Sequence, residues 1–315
     1  MMKKLFTTLF LIGSLCLSAY SQGIEGLDMS ELEKQSAEIN KSAADTTVSA
    51  KKWTFKGMAG INLSQASFTN WSGGGENSVA TNVYCIGGAY YRKNRSAWDN
   101  DVSLGYGVLY TGENGWRKSS DQIDFSSKYG YAATDKLFYS ALASFNTQFA
   151  KGFNYPNDSI HISKFMAPGY AIASVGIDYR PLASLSVFAS PLTGRFTFVM
   201  DDSLSHVGAF GVDIDEKFKA QIGAYTRIAY NANVMKNVNV NSRLELFTAY
   251  DDSFGNIVVN WEVMVGMKIN KYLTATLNTI LRYDDNMKYV DKEGVEHGPR
   301  VQIKQLLGVG LAYKF

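Results

Sequence analysis

The chain has 315 residues, with 31 basic against 29 acidic side chains and a formal net charge of +2. That balance gives no argument for a nucleic-acid partner, and none is expected. Glycine and tyrosine are plentiful and proline is scarce (28, 19 and 5 residues), which favours long strands over loop-rich folds. Beyond the N-terminus no stretch is apolar enough for a helical span.

The N-terminus has the layout of a secretory signal peptide over residues 1–21. Lys3 and Lys4 precede an apolar run from Leu5 to Leu17, and Ala19-Tyr20-Ser21 offers a small-x-small cleavage site before Gln22. Cys16 follows Leu15 rather than a small residue, which argues against lipidation. Cleavage would leave Cys85 alone, so neither an intramolecular disulfide nor thiol-ligated zinc is expected.

Residues 22–50 are polar and acidic. Glu25, Asp28, Glu31, Glu33, Glu38 and Asp45 stand against Lys34 and Lys41, and Ser30-Glu31-Leu32-Glu33 fits a capping box. The segment reads as a disordered leader, with a plug that enters a barrel as the alternative.

From Trp53 onward, apolar and polar residues alternate with the period of two that sends side chains to opposite faces of a strand. Trp53, Phe55, Ala59, Ile61 and Leu63 oppose Thr54, Lys56, Gly60 and Asn62. The glycine run at 73–75 lacks the Lys-Ser/Thr ending of a phosphate cradle and reads as a turn or inward loop. In Val79 to Tyr91 both faces are apolar, so Val83 and Cys85 compete with Tyr84 and Ile86 for the outside.

Trp98 to Tyr110 alternates most cleanly, with Trp98, Val102, Leu104, Tyr106, Val108 and Tyr110 against Asp99, Asp101, Ser103, Gly105 and Gly107. Ile123, Phe125, Tyr129 and Tyr131 oppose Gln122, Asp124, Ser126 and Lys128. Leu137 to Phe149, Tyr170 to Tyr179 and Leu185 to Val199 continue the series, the last bent at Pro191 and Gly194. Phe218 to Tyr230, Val238 to Tyr250, Ile257 to Ile269 and Leu273 to Tyr283 follow. The closing strand, Arg300 to Phe315, puts Val301, Ile303, Leu307, Val309, Leu311, Tyr313 and Phe315 on one face.

About twelve strands result, each long enough for a tilted crossing of hydrocarbon. Connections after odd strands are mostly long, as at Ser64, Thr111, Ala150, Met200 and Asp284; those after even strands are short, as at Arg92, Thr134, Pro181 and Asn270. The expected fold is all-β, a transmembrane antiparallel β-barrel over residues 51–315, with short turns in the periplasm and long loops outside. Such a barrel meets outer-membrane lipids and lipopolysaccharide, and the strand ending in Phe315 resembles a targeting signal for the barrel assembly machinery.

Several segments resemble an uncharacterised family of Bacteroidetes outer-membrane proteins, a domain of unknown function. They are Asn70 to Asn77, Lys128 to Tyr131, Phe145 to Ala150 with Tyr155-Pro156, and Ser190 to Phe198. The likeness extends over the chain beyond Lys51. It implies an outer-membrane barrel and carries no activity or catalytic residues.

The three histidines, His161, His206 and His297, fall in or beside long loops. His161-Ile162-Ser163 sets a histidine near a serine but offers no third partner, so no enzyme, metal site or cofactor is expected. Candidate lumen residues are Asp99, Asp101 and Asp124 early in the chain, and Lys217, Lys219, Arg227, Arg243, Glu245, Glu262, Arg282, Arg300 and Lys304 late. Two readings of these charges stand side by side. One is a salt-bridge network filling a narrow barrel. The other is a pore whose basic wall suits small polar or anionic solutes, with the acidic 23–50 segment as its gate. A passive channel is the favoured expectation; a closed structural barrel or an outer-leaflet lipid-modifying enzyme is the alternative.

Overall fold

The computed structural model describes residues 52–67, 77–112, 115–155, 157–251, 253–270, 273–285, 289–290 and 296–314. The expectations for residues 1–50, for the 68–76 segment and for Phe315 fall outside them.

Twelve strands form one closed antiparallel barrel. They are β1 (Trp53–Ala66), β2 (Ser78–Lys93), β3 (Ser96–Thr111), β4 (Gly115–Ala132), β5 (Leu137–Thr147) and β6 (Gly169–Leu182), followed by β7 (Leu185–Phe198), β8 (Phe218–Met235), β9 (Val238–Ala249), β10 (Val258–Lys268), β11 (Leu273–Tyr283) and β12 (Gln302–Lys314). Each strand pairs with its neighbours in sequence, and β12 returns to β1 to complete the ring. Closure pairs the first strand with the last over Met58–Asn62, which is how an antiparallel sheet survives without a second layer.

Alternation decides which side of the wall each residue takes. Phe55, Leu63, Tyr139, Val175, Leu192, Ile222, Ile303 and Leu307 all point outward, each more than 55% exposed. Aromatic rings border this band at both ends. Trp53, Tyr91 and Trp98 cluster at the turn end, while Tyr110 meets Trp116 and Phe198 meets Phe218 at the loop end. Such a belt would hold a soluble protein in aggregates, and it matches a hydrocarbon slab between two interfaces. Among the described residues no helix is long and apolar enough to cross a membrane.

In β2 the ambiguity resolves in favour of Val83 outside, 37% exposed, with Tyr84 turned inward against Gly60. The connections after even strands are short, at residues 94–95, 133–136, 183–184, 236–237 and 269–272. One expectation fails. The connection after β3 is not long, because β4 begins at Gly115 and the pair runs on as a tall hairpin past a bulge at Gly107/Val108. An extra residue in one strand reverses the in/out phase, which hid this part of β4 from a period-two reading. A second irregularity, at Val175/Ile177 and Gly223/Tyr225, flanks Pro191 in β7, where a bend was expected.

Candidate functional site

Lumen-facing side chains lie in three tiers. At the turn end Asp178 is fully buried and accepts from Lys128 Nζ at 2.8 Å, Arg180 Nε at 2.8 Å and Ser186 Oγ at 2.6 Å. Arg180 covers the Phe138 ring at 4.5 Å and stands 3.6 Å from Asp99, whose other oxygen takes Arg92 at 2.5 Å.

At mid-height Arg243 of β9 reaches Asp124 of β4 at 2.9 Å and Glu262 of β10 at 2.9 Å. In the ring β4 and β9 are five strands apart one way and seven the other, so this contact crosses the barrel. Arg227 makes the same crossing, donating to Ser126 Oγ at 2.9 Å, and lies 3.7 Å from Glu245. Glu245 accepts from Tyr225 at 2.9 Å and Asn260 at 3.0 Å; Asp101 accepts from Tyr90 at 2.7 Å. Buried charges must be hydrogen-bonded and, for the most part, paired to be tolerated; Arg243, Arg227, Asp124, Glu245 and Glu262 stand beside opposite charges, and Asp101 has the Tyr90 hydroxyl.

Near the loop end Arg195 pairs with Asp284 at 2.5 Å and donates to Gln221 at 3.3 Å. Lys219 donates to the Gly211 carbonyl at 2.8 Å. Arg282 and Lys304 occupy the inward register of β11 and β12, and neither forms a salt bridge among the described residues.

The lumen is filled unevenly. Leu142, Phe188, Tyr225, Phe247 and Ala249 form a buried apolar cluster with Ile172 and Val258 along the β5–β10 arc. The opposite wall is flat. The Tyr84 ring lies on Gly60, Tyr90 on Gly88, and the Asn62 side chain on Gly308. A Cβ added at Gly105 or Gly266, both on the inward register, would meet nothing within 4 Å. The space over these two glycines, on β3 and at the β10 end of the filled arc, is therefore clear.

Two loops fold against each other above the filled arc, one after β5 and one after β7. Gly152–Phe153 pairs with His161–Ser163, and Asp201 caps the short helix α1 (Asp202–Ser205) through Leu204 N at 3.0 Å. Asp201 also takes Lys164 at 2.6 Å and His161 Nε2 at 2.9 Å from the neighbouring loop. Ala167, Val199, Leu204 and Val212 bury a small core beneath it. Burial alone would raise the Asp201 carboxyl, but hydrogen bonds from Lys164, Ser203, His161 and the Leu204 amide outweigh it and hold the group well below the usual carboxylate range.

Placement differs from expectation at two residues. Lys217 precedes β8, is half exposed and pairs with Asp202 in the loop at 2.5 Å. Arg300 precedes β12 and is exposed. His161 turns to Asp201, an acid of the next loop that local spacing could not supply. Arg92, Asp178, Arg180, Arg195 and Asp284 are charged lumen residues absent from the sequence-derived set. Asp178 and Arg180 had a signal, since they share the inward register of β6 either side of outward Tyr179.

The chain matches no curated protein. Among solved structures it is similar to the translocator domain of the autotransporter NalP from Neisseria meningitidis, at 7% identity and a TM-score of 0.34, covering 90% of this chain and 96% of that one. It is also similar to the NanC porin, at 8% identity and a TM-score of 0.37, covering 81% and 98%. OmpT, an outer membrane protein of Vibrio cholerae, follows at 9% identity and a TM-score of 0.28, covering 84% and 99%. The barrel architecture stands on its own strand ladder. Residues 63–153, from the end of β1 to the loop after β5, match the family described as "Protein of unknown function (DUF3078)".

Proposed function

We propose that the protein is an outer-membrane barrel that acts as a passive conduit for small polar solutes, along the flatter side of its lumen. The observation that carries this is the open space over the inward Gly105 and Gly266, set against the apolar cluster that fills part of the β5–β10 arc. An apolar, aromatic-bordered exterior supports residence in a bilayer. Arg282 and Lys304, two inward bases that form no salt bridge among the described residues, give the loop end of the lumen a positive potential that favours anions. Arg227 and Arg243 contribute little to such a preference, because Arg227 lies beside Glu245 of the adjacent strand and Arg243 is paired with Asp124 across the barrel. No chemical step belongs to this reading, and the residues between the loops serve to hold them together.

Swelling of phosphatidylcholine vesicles in graded sugars tests it. Wild-type protein is expected to admit the smallest solutes, and Gly105→Trp or Gly266→Trp to slow entry severalfold with the fold intact. Vesicles that never swell would favour the second reading, a closed structural barrel, for which the Asp124–Arg243–Glu262 crossing speaks.

A further inference from the structure

The seam that closes the barrel is zipped over part of its length. β1 and β12 pair from Met58↔Lys314 to Asn62↔Gly310, and the ladder stops there. On their other sides β1 pairs with β2 from Trp53 to Ala66, and β12 pairs with β11 from Gln302 to Leu311. Continuing the seam would set Ser64 against Gly308 and Gln65 against Leu307, and neither pair forms. The glycines mark the parting. A Cβ at Gly310 would meet the backbone of Ile61 and Asn62, whereas at Gly308 the first atoms met belong to the Asn62 side chain.

From mid-wall to the loop-end rim, then, two strand edges face one another without hydrogen bonds between them. Leu63, Ile303 and Leu307 beside this slit are 65%, 68% and 72% exposed on the outer wall. An open sheet edge is not tolerated against hydrocarbon, and persists at membrane depth only where water or a polar ligand reaches it. Lumen water or a headgroup must therefore come to the slit. Just inside it stand Lys304 and Arg282. Lys304 also senses Lys118, Asp121 and Glu262, but both acids are engaged already, Asp121 by Lys118 and Glu262 by Arg243. Two cations remain to meet an anion.

We propose that the slit between β1 and β12 is a lateral port joining the lumen to the loop-side half of the bilayer, and that it takes a single-chain amphiphile with an anionic head. The head sits at Lys304 and Arg282 while the chain lies in the bilayer beside Leu63 and Leu307. The port needs a membrane-spanning barrel but does not need flux of polar solutes.

The test uses the full chain in phosphatidylcholine vesicles, with Cys16 and Cys85 replaced by serine. A Gln65→Cys/Leu307→Cys pair is expected to form its disulfide roughly tenfold more slowly than Ile61→Cys/Leu311→Cys, which occupies a formed rung four residues away. Equal rates would overturn the open seam. Dodecyl phosphate carrying a photoreactive chain end should label residues 63–66 and 302–309. Unlabelled dodecyl phosphate should compete, while inorganic phosphate and dodecyltrimethylammonium should not. Oxidising the Gln65→Cys/Leu307→Cys pair should cut labelling severalfold, and reduction should restore it. Labelling that ignores oxidation, or that the cationic chain displaces equally, is ordinary bilayer contact and rejects the port. Displacement by inorganic phosphate alone means a headgroup site without a chain and rejects it too. Sugar-driven swelling of the same vesicles reports the conduit separately, so either proposal can fail without the other.

Discussion

Asp178 has no exposed surface and three donors, two of them cationic. Removing it strands Lys128 and Arg180 in a site that cannot hydrate them. Asp178→Ala is expected to cost about 3 kcal/mol in chemical unfolding from detergent micelles, most of it the penalty of uncompensated buried charge. Lys128→Met combined with Asp178→Leu should recover much of that, because both charges leave together. The sequence shows which face such residues take, since a charge between outward apolar neighbours must look inward. It does not show whom they meet. Arg243 finds Asp124 at a sequence separation of 119 only because twelve strands curve the wall until opposite sides come within reach. The apolar filling was illegible for a related reason. Phe138 lies between Leu137 and Tyr139, and Phe247 between Leu246 and Thr248, so an inward apolar residue leaves no mark on an alternation already rich in apolar residues.

Most strands could be placed from their alternation alone, and β11 begins and ends where the period-two pattern does, at Leu273 and Tyr283. The reading broke where the backbone gains an extra residue, as in β4 near Ser119, because the phase reverses there and the remainder resembles loop. The loops after β5 and β7 were legible only as long and polar. Their small core and the Asp201 junction depend on contacts between two separate segments. That junction has a definite pH response. The carboxyl is held below its ordinary value of 3.8, so its contribution to loop stability is complete above that value and is lost as pH falls beneath it. Amide protection in residues 199–217, corrected for intrinsic exchange, is expected to step down from about pH 4 and to go on falling below it. In Asp201→Asn, exchange should be fast throughout and show no such step. A wild-type protein without the step would remove Asp201 as the clasp between these loops.

For the molecule as a whole, the decisive property is an apolar exterior wrapped around a polar, partly filled interior. A barrel of this kind should stay closed in cold detergent and unfold on boiling, changing its migration in a gel. Solubility of the purified chain without detergent, with migration unaltered by heat, would exclude bilayer residence and with it the conduit and the port. The lumen contacts also bear on how such a chain comes together. Asp124 and Ser126 are made early and must wait for Arg243 and Arg227, some hundred positions later. Until those arginines arrive, Asp124 and Ser126 lack their cationic partners. Contacts of such long range make acquisition of the native state slow and cooperative. The chain should accordingly pass from open to complete in one late step, with no durable half-barrel on the way.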